Sequence, residues 1–301
     1  MRPAGGDESD VFFGGPPLPE PASGGISAPT DEVTWGLREI FYGIMLALAA
    51  LVVSAALIVF PVEAKYGSNT PETDAANAVS QIVLDLLAVA GVFFIVTHKG
   101  STLRALGIRK PQRPGDRGTA AEEGYPWGYH AGMIAVGLIM AYACLFIYLG
   151  IISALGLHFL EPSKQIPDNY LENNVVTLIL GVGVVAVAPV CEELFFRGFI
   201  FGALRRLWGF AIGAIVSGFV FSTAHAQPGL IIPFAGIGFV FAFLYDRSRS
   251  IFVSMSVHAC FNFISFSLLV AQARGDSDAT ATDVPQAIGA AATVLLRHLG
   301  I

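Results

Sequence analysis

Long apolar blocks separated by short polar connectors dominate the chain beyond residue 39. A membrane-spanning helix needs roughly 20 mostly apolar residues. The apolar residues run continuously and do not alternate with polar ones, which disfavours strands. The pattern therefore predicts an all-α, polytopic transmembrane helix bundle with seven spans. The predicted spans are 40–62, 78–97, 128–155, 175–204, 210–226, 230–245 and 251–271.

A shorter apolar segment and a polar tail complete this plan. Residues 284–300 are apolar but short, and we favour an interfacial helix over an eighth span for them. Residues 1–39 are rich in Gly, Pro, Ser and acidic residues and contain no apolar segment. Such a composition is typical of a disordered tail. We therefore predict a disordered tail over 1–39 and a single transmembrane domain over 40–301.

Composition supports a membrane protein and argues against other classes. Of the 301 residues, 54% are hydrophobic and 13% are charged, whereas soluble domains average about 45–50% and about 25%. The net charge of −6 leaves no basic surplus for a nucleic-acid backbone, so we predict no nucleic-acid partner. Cys144, Cys191 and Cys260 all lie within apolar runs, which favours small apolar fillers over a disulfide framework.

Lys and Arg side chains are distributed unevenly over the connectors between spans. One alternating set of connectors carries twelve of them and the other set carries four. Cytoplasmic connectors of membrane proteins are enriched in Lys and Arg. We therefore expect the N-terminal tail to be cytoplasmic in a multi-pass protein of the cell membrane. The short loops and single bundle favour a bacterial inner membrane.

Ionisable and polar residues interrupt three of the last four predicted spans. A charged residue costs roughly 2.5–3.5 kcal/mol at the centre of a membrane helix, so such residues are functional candidates. For Asp85, in the second span, we favour a helix-packing hydrogen bond over a position at a cavity. The remaining candidates are Glu192, Glu193, Arg197, His225, His258 and Asn262.

Helical spacing gives these candidates different partners. Glu193 and Arg197 are four residues apart with the acid first, so they can form an ion pair inside the bundle. Glu192 points about 100° away from Glu193 and is left to face something else. His258 and Asn262 are also four residues apart and share one helix face. At about 1.5 Å per residue, these groups and the histidine of the fifth span can meet near mid-membrane.

A carboxylate, two imidazoles and an amide together indicate activation of water. A buried glutamate, or one paired with histidine, can take a proton from water. An imidazole and an asparagine amide can donate hydrogen bonds to a developing oxyanion. The combination predicts a hydrolase of amide bonds. Zinc is a competing interpretation, because three of these residues form an alternative ligand set: Glu192, His225 and His258.

Three short motifs carry a resemblance to a known family. Glu-Glu-x-x-x-Arg occupies 192–197, Phe-x-x-x-His occupies 221–225, and His-x-x-x-Asn occupies 258–262. In this order, and each within an apolar span, they resemble the CAAX protease and bacteriocin-processing (CPBP) family, which includes the eukaryotic CAAX prenyl endopeptidase. The resemblance covers about residues 175–270, which we expect to form the protease core.

The resemblance implies an intramembrane endopeptidase of about eight helices that cleaves a membrane-associated or lipidated protein or peptide. Members are described both as metallopeptidases and as metal-independent glutamate enzymes. We favour the metal-free mechanism with no cofactor, because an asparagine suits an oxyanion role better than a zinc shell. The implied roles are water activation for Glu192 and His225, oxyanion stabilisation for His258 and Asn262, and support of the site for Glu193 and Arg197.

Two other functional classes stay open at the level of the sequence. A non-catalytic membrane scaffold or maturation factor of the same family could keep these residues as a structural polar core. A proton-coupled transporter could use them as a relay, since glutamate and histidine chains also conduct protons. The transporter is less favoured, because the chain shows no internal repeat of the kind that many transporters carry.

Overall fold

The computed structural model describes residues 30–111, 127–162 and 166–275. Within these ranges the chain is helical, and the one extended pairing is a single bridge between Thr30 and Ser101. Seven long helices carry the fold: α1 (Leu37–Tyr66), α2 (Pro71–His98), α3 (Trp127–Ala154), α4 (174–208), α5 (210–224), α6 (Pro228–Ser248) and α7 (Ile251–Gly275). The predicted segment 284–300 lies outside the described residues.

A single glycine separates α4 from α5. The helical run Asn174–Ala224 is 51 residues long, but Gly209 within it has φ 77° and ψ 178°. A positive φ is accessible to glycine at little cost, so the helix is interrupted here. Six helical runs among the described residues are long and apolar enough to cross a membrane, and the longest divides at this glycine. The predicted all-α, multi-pass bundle is thereby confirmed.

The helix starts follow ordinary capping rules. Thr70 precedes α2, its hydroxyl accepts a hydrogen bond from the Thr73 N–H at 3.3 Å, and Pro71 occupies the first helical position. Asn173 precedes α4, and its side-chain oxygen accepts from the Val175 N–H at 2.8 Å. These side chains satisfy N–H groups that the first helical turn leaves without a partner.

The helices divide into a central and a peripheral set. In the most apolar window of each run, 56% of residues are buried in α6 and 44% in α7, against 22% in α1. The outer faces of α1, α3 and α5 expose large apolar side chains, among them Leu57, Ile139 and Ile212. An exposed apolar surface of this extent suits lipid and not water.

A close helix contact joins α5 to α6 through two glycines. A Cβ built on Gly218 would lie 2.6 Å from the Ala235 carbonyl oxygen, and one on Gly238 would lie 2.8 Å from the Gly218 Cα. Small residues allow helix backbones to approach in this way in membrane proteins. The contact brings the end of α5, which carries a predicted histidine, against α6.

The N-terminal boundary of the folded part differs from the prediction. Residues 30–36 lie against the bundle, and α1 begins at Leu37, so the predicted disordered tail over 1–39 was drawn too long. Trp35 is fully buried, and its indole N–H donates to the Phe199 carbonyl at 2.8 Å. Arg206 donates to the Trp35 carbonyl at 2.9 Å. Residues 1–29 lie outside the described residues.

We expect the Gly218→Ala substitution to destabilise the protein by about 1–3 kcal/mol, because the new methyl group would overlap backbone atoms of α6. The midpoint of thermal unfolding in a mild detergent measures this loss. Gly132→Ala is the matched control, since a Cβ at Gly132 meets no atom within 4 Å. Equal unfolding midpoints for the two variants would contradict the close α5–α6 contact.

Candidate active site

Helix α4 departs from α-helical geometry on both sides of Glu192. The stretches Gly183–Val187 and Glu193–Phe201 are π-helical, and the turn between them contains Pro189. Such wide turns occur frequently at functional sites. Proline supplies no N–H for the helical hydrogen-bond ladder, which favours an interruption at this point.

Asn262 of α7 compensates for this interruption. The Ala188 N–H donates to the Gly183 carbonyl, and Pro189 has no N–H, so the Val184 carbonyl lacks its usual helical donors. The Asn262 Nδ2 donates to that carbonyl at 2.8 Å. One N–H of the amide is therefore used in fixing α4 to α7, and the second N–H is left for the cavity that Asn262 lines.

A buried ion pair lies behind the site. Glu193 and Arg197 are both completely buried, and Arg197 Nη1 lies 3.0 Å from Glu193 Oε1. The guanidinium lies over the rings of Phe221 and Phe241, 4.3 and 4.9 Å from their centroids. Its Nη2 also donates to the Gly238 carbonyl at 3.4 Å. The pair is thus enclosed by α5, α6 and α7 and does not line the cavity.

His258 connects this ion pair to Glu192. Its Nδ1 lies 3.0 Å from Glu193 Oε1, and its Nε2 lies 3.7 Å from Glu192 Oε2. Because a carboxylate only accepts hydrogen bonds, Nδ1 carries the proton of that bond. The ring also packs on Phe241, with centroids 4.9 Å apart. Glu193 therefore orients the imidazole, and Nε2 faces the neighbouring glutamate.

His225 is oriented by its own helix. It caps the end of α5, and its Nδ1 lies 3.0 Å from the Phe221 carbonyl oxygen. Because a carbonyl oxygen only accepts, Nδ1 is the donor and Nε2 of the neutral ring is an acceptor. The rings of Phe221 and Phe234 each lie 4.8 Å from the imidazole centroid and restrict its rotation.

The four proposed catalytic side chains line one cavity of about 740 Å³ between α1, α2, α4, α5, α6 and α7. The Glu192 side chain is 21% exposed, but its Oε2 is itself buried and has no hydrogen-bond partner among the described residues. Water can therefore reach the exposed part of this side chain from the cavity. The residues that the structure brings together at the cavity are Glu192, His225, His258 and Asn262.

Asp85 differs from the sequence-based interpretation. Its hydrogen bond is with Gln81 of the same helix, at 3.1 Å, so it does not join two helices. Both side chains line the cavity beside Glu192. The sequence signal for this position was a carboxyl group within an apolar span. The prediction of a helix-packing hydrogen bond for Asp85 was wrong. A single polar residue on α2 belongs to no motif that could have indicated its position relative to α4.

The alternative zinc set consists of Glu192, His225 and His258, which all line the cavity. Among the described residues, no group of three or more His, Cys, Asp or Glu side chains is placed to hold a metal ion. The Nδ1 atoms of both histidines are already engaged, with the Phe221 carbonyl and with Glu193. This leaves Nε2 of each ring, the atom that a metal-bound histidine commonly uses when its Nδ1–H is held in this way, and Nε2 of His258 lies 3.7 Å from Glu192 Oε2.

We expect Arg197→Met to destabilise the protein by about 3–5 kcal/mol, because Glu193 would be left as an unpaired buried charge. The Glu193→Gln/Arg197→Met double variant should lose less, since it removes both charges. Unfolding midpoints in detergent test this order. Arg247→Met, at an exposed position of α6, is the control. A double variant less stable than Arg197→Met would contradict the ion-pair interpretation.

Comparison with known proteins concerns the same part of the chain. Residues 174–264 match the family model "Type II CAAX prenyl endopeptidase Rce1-like". A stretch of 76 residues is 37% identical to the "Putative membrane peptidase YdiL" of Bacillus subtilis (strain 168), and it covers 25% of this chain and 31% of that protein. The chain thus spans about a third of the length of the curated relative that it matches. No solved structure gives a significant match.

Proposed function

We propose that the protein is an intramembrane endopeptidase of the CPBP family, because residues 174–264 match the Rce1-like family model and contain the three motifs that resemble this family. It hydrolyses a peptide bond of a membrane-associated or lipidated protein or peptide. One observation carries this proposal: a carboxyl group, two imidazoles and an amide from α4, α5 and α7 line a single cavity. Such a set contains both a base for water and donors for an oxyanion.

Glu192 is the proposed base. Of the two adjacent glutamates, Glu192 lines the cavity. Glu193 lies behind it and is neutralised by Arg197. The Glu192 carboxylate accepts a proton from a water molecule while the water oxygen attacks the carbonyl carbon of the substrate. The same carboxyl group then delivers that proton to the amide nitrogen that leaves.

His225, which caps the end of α5, assists the same step. Because its Nδ1 donates to the Phe221 carbonyl, Nε2 offers a lone pair to the second hydrogen of the attacking water. This hydrogen bond orients the water oxygen toward the substrate. Orientation of a nucleophile before reaction removes part of the entropic barrier.

His258 and Asn262 stabilise the oxyanion in this proposal. They are one helical turn apart on α7, and both line the cavity. Asn262 offers the Nδ2–H that the Val184 carbonyl does not use. His258 Nε2 donates when the ring carries both protons, and Glu193 at Nδ1 holds the ring in place for this role. Donors held in this way need no reorganisation as the negative charge develops.

The substrate reaches the cavity from the lipid in this scheme. Leu48 and Leu51 line the cavity from the peripheral helix α1, and about half of each residue is exposed. A lipid-soluble chain can therefore approach between α1 and the core without crossing a polar surface. We further propose a cell-membrane location with the N-terminus in the cytoplasm, on the basis of the Lys and Arg distribution.

We expect Glu192→Gln to lower peptidase activity by about 10²–10⁴-fold, because the amide cannot accept the proton of water. The measurement uses purified protein in lipid nanodiscs and a library of hydrophobic peptides, with products identified by mass spectrometry. Glu63→Gln, at an exposed end of α1, is the matched control. Addition of a zinc chelator should leave wild-type activity unchanged.

The chelator and the Glu192→Gln variant together distinguish the metal-free protease from the zinc protease and the non-catalytic scaffold. Activity that disappears with chelator and returns with zinc would support the metal mechanism over the proposed one. Cleavage by Glu192→Gln at the wild-type rate would overturn the role of this residue. A folded wild-type protein that cleaves no peptide of the library, and whose Glu192→Gln variant keeps its function in cells, would support the scaffold.

We expect Asn262→Leu, a substitution of similar shape, to lower kcat by about 10²–10³-fold with a smaller change in KM, since an oxyanion donor acts in the transition state. The free energy of unfolding should also fall by about 1–3 kcal/mol, because the Val184 carbonyl loses its donor. Steady-state kinetics and thermal unfolding measure the two effects separately. An unchanged kcat together with reduced stability would show that Asn262 is only structural.

A further inference from the structure

The described lining of the cavity contains two carboxyl groups and two imidazoles, but no Lys or Arg. The carboxyl groups belong to Asp85 and Glu192. Arg197, the cation of the first motif, is completely buried and pairs with Glu193 outside the cavity lining. Two carboxyl groups thus share a largely apolar space in which the described residues supply no Lys or Arg side chain.

Asp85 has an incomplete set of partners. The residue is only 8% exposed, and its Oδ1 accepts from Gln81 Nε2 at 3.1 Å. Its Oδ2 is buried and has no hydrogen-bond partner among the described residues. A buried carboxylate is costly unless a charge or hydrogen-bond donor compensates it. The glutamine neighbour fixes the direction of the carboxyl group and leaves one oxygen for a ligand.

The walls around Asp85 suit the stem of a long basic side chain. Ala47 and Leu48 of α1, together with Leu84 and Ala88 of α2, line the same cavity. Lys and Arg side chains bury their methylene stems against apolar surface and place the charge at a polar group. A cation bound here would lie in the space that also contains Glu192, the proposed base.

We propose that Asp85 is a specificity-determining residue that binds a cationic side chain, Lys or Arg, of the substrate peptide near the cleaved bond. This inference rests on the proposed endopeptidase function and identifies a class of substrate for it. The salt bridge forms between the ammonium or guanidinium group and Asp85 Oδ2, and Gln81 holds the carboxyl group in position. A neutral side chain of the same length leaves that oxygen without a partner.

The kinetic test compares lysine with norleucine, which has the same stem without the charge. In a cleaved, N-acetylated peptide, each residue is placed in turn at three positions on either side of the cleaved bond. We expect at least a tenfold higher kcat/KM for lysine at one position, as for a charge-assisted hydrogen bond. Asp85→Asn should reduce this lysine-to-norleucine ratio to about one.

Asp74→Asn is the matched control for this ratio. Asp74 is a buried carboxyl group on the same helix, it accepts a hydrogen bond from Asn169 at 2.8 Å, and it does not line the cavity. Its variant should keep the wild-type ratio. If Asp85→Asn fails to fold, Asp85→Glu retains the charge and should keep most of the preference. The absence of a lysine preference at every position, or its retention in Asp85→Asn, overturns the proposal.

A binding measurement separates this proposal from the catalytic one. Dansylcadaverine, a primary amine on a five-carbon stem, and the neutral dansyl n-pentylamide are titrated onto the protein in nanodiscs of zwitterionic lipid. We expect at least tenfold tighter binding of the amine to wild type and Asp74→Asn, and no preference in Asp85→Asn. Equal affinities in wild type overturn the inference. Preferential amine binding by a protein that cleaves no peptide supports the cation site and contradicts only the proposed function.

Discussion

The completely buried salt bridge between Glu193 and Arg197 is the interaction on which the geometry of the site depends. A single charge in this apolar interior would be strongly unfavourable, but the two charges compensate each other at 3.0 Å. Aromatic rings of α5 and α6 cover the guanidinium. The pair therefore determines how α4 packs against its neighbours. It also provides the oxygen that orients His258.

This arrangement gives the two adjacent glutamates different roles. Glu193 turns inward and is neutralised, whereas Glu192 lines the cavity with a carboxyl oxygen that has no hydrogen-bond partner among the described residues. His258 contacts both, because its two ring nitrogens point in different directions. One imidazole ring therefore links the ion pair to the proposed base.

Irregular backbone in α4 is stabilised by a neighbouring helix. Pro189 interrupts the hydrogen-bond ladder between two π-helical stretches, and Asn262 supplies the donor that the Val184 carbonyl needs. Within a membrane, no water is available to donate a hydrogen bond to an unsatisfied carbonyl, so another helix must supply the donor. One side chain therefore serves both the packing of α4 on α7 and the lining of the cavity.

The sequence alone was sufficient for the helical class, the membrane location and the candidate residues. Long apolar runs and ionisable groups within them are local properties, because lipid imposes them on every span separately. The spacing of Glu193 and Arg197 also indicated their pairing, since both lie on one helix.

Tertiary structure decided the relations between helices. The packing of α2 against α4 determines which face of α2 meets the cavity. It thereby places Asp85 in the same cavity as Glu192. One isolated polar residue in the sequence does not encode that packing. The burial of Trp35 likewise depends on a carbonyl of α4 that is distant in sequence. Apolar periodicity in a membrane helix is weak because lipid and protein interior are both apolar, so only the assembled bundle determines which face points inward.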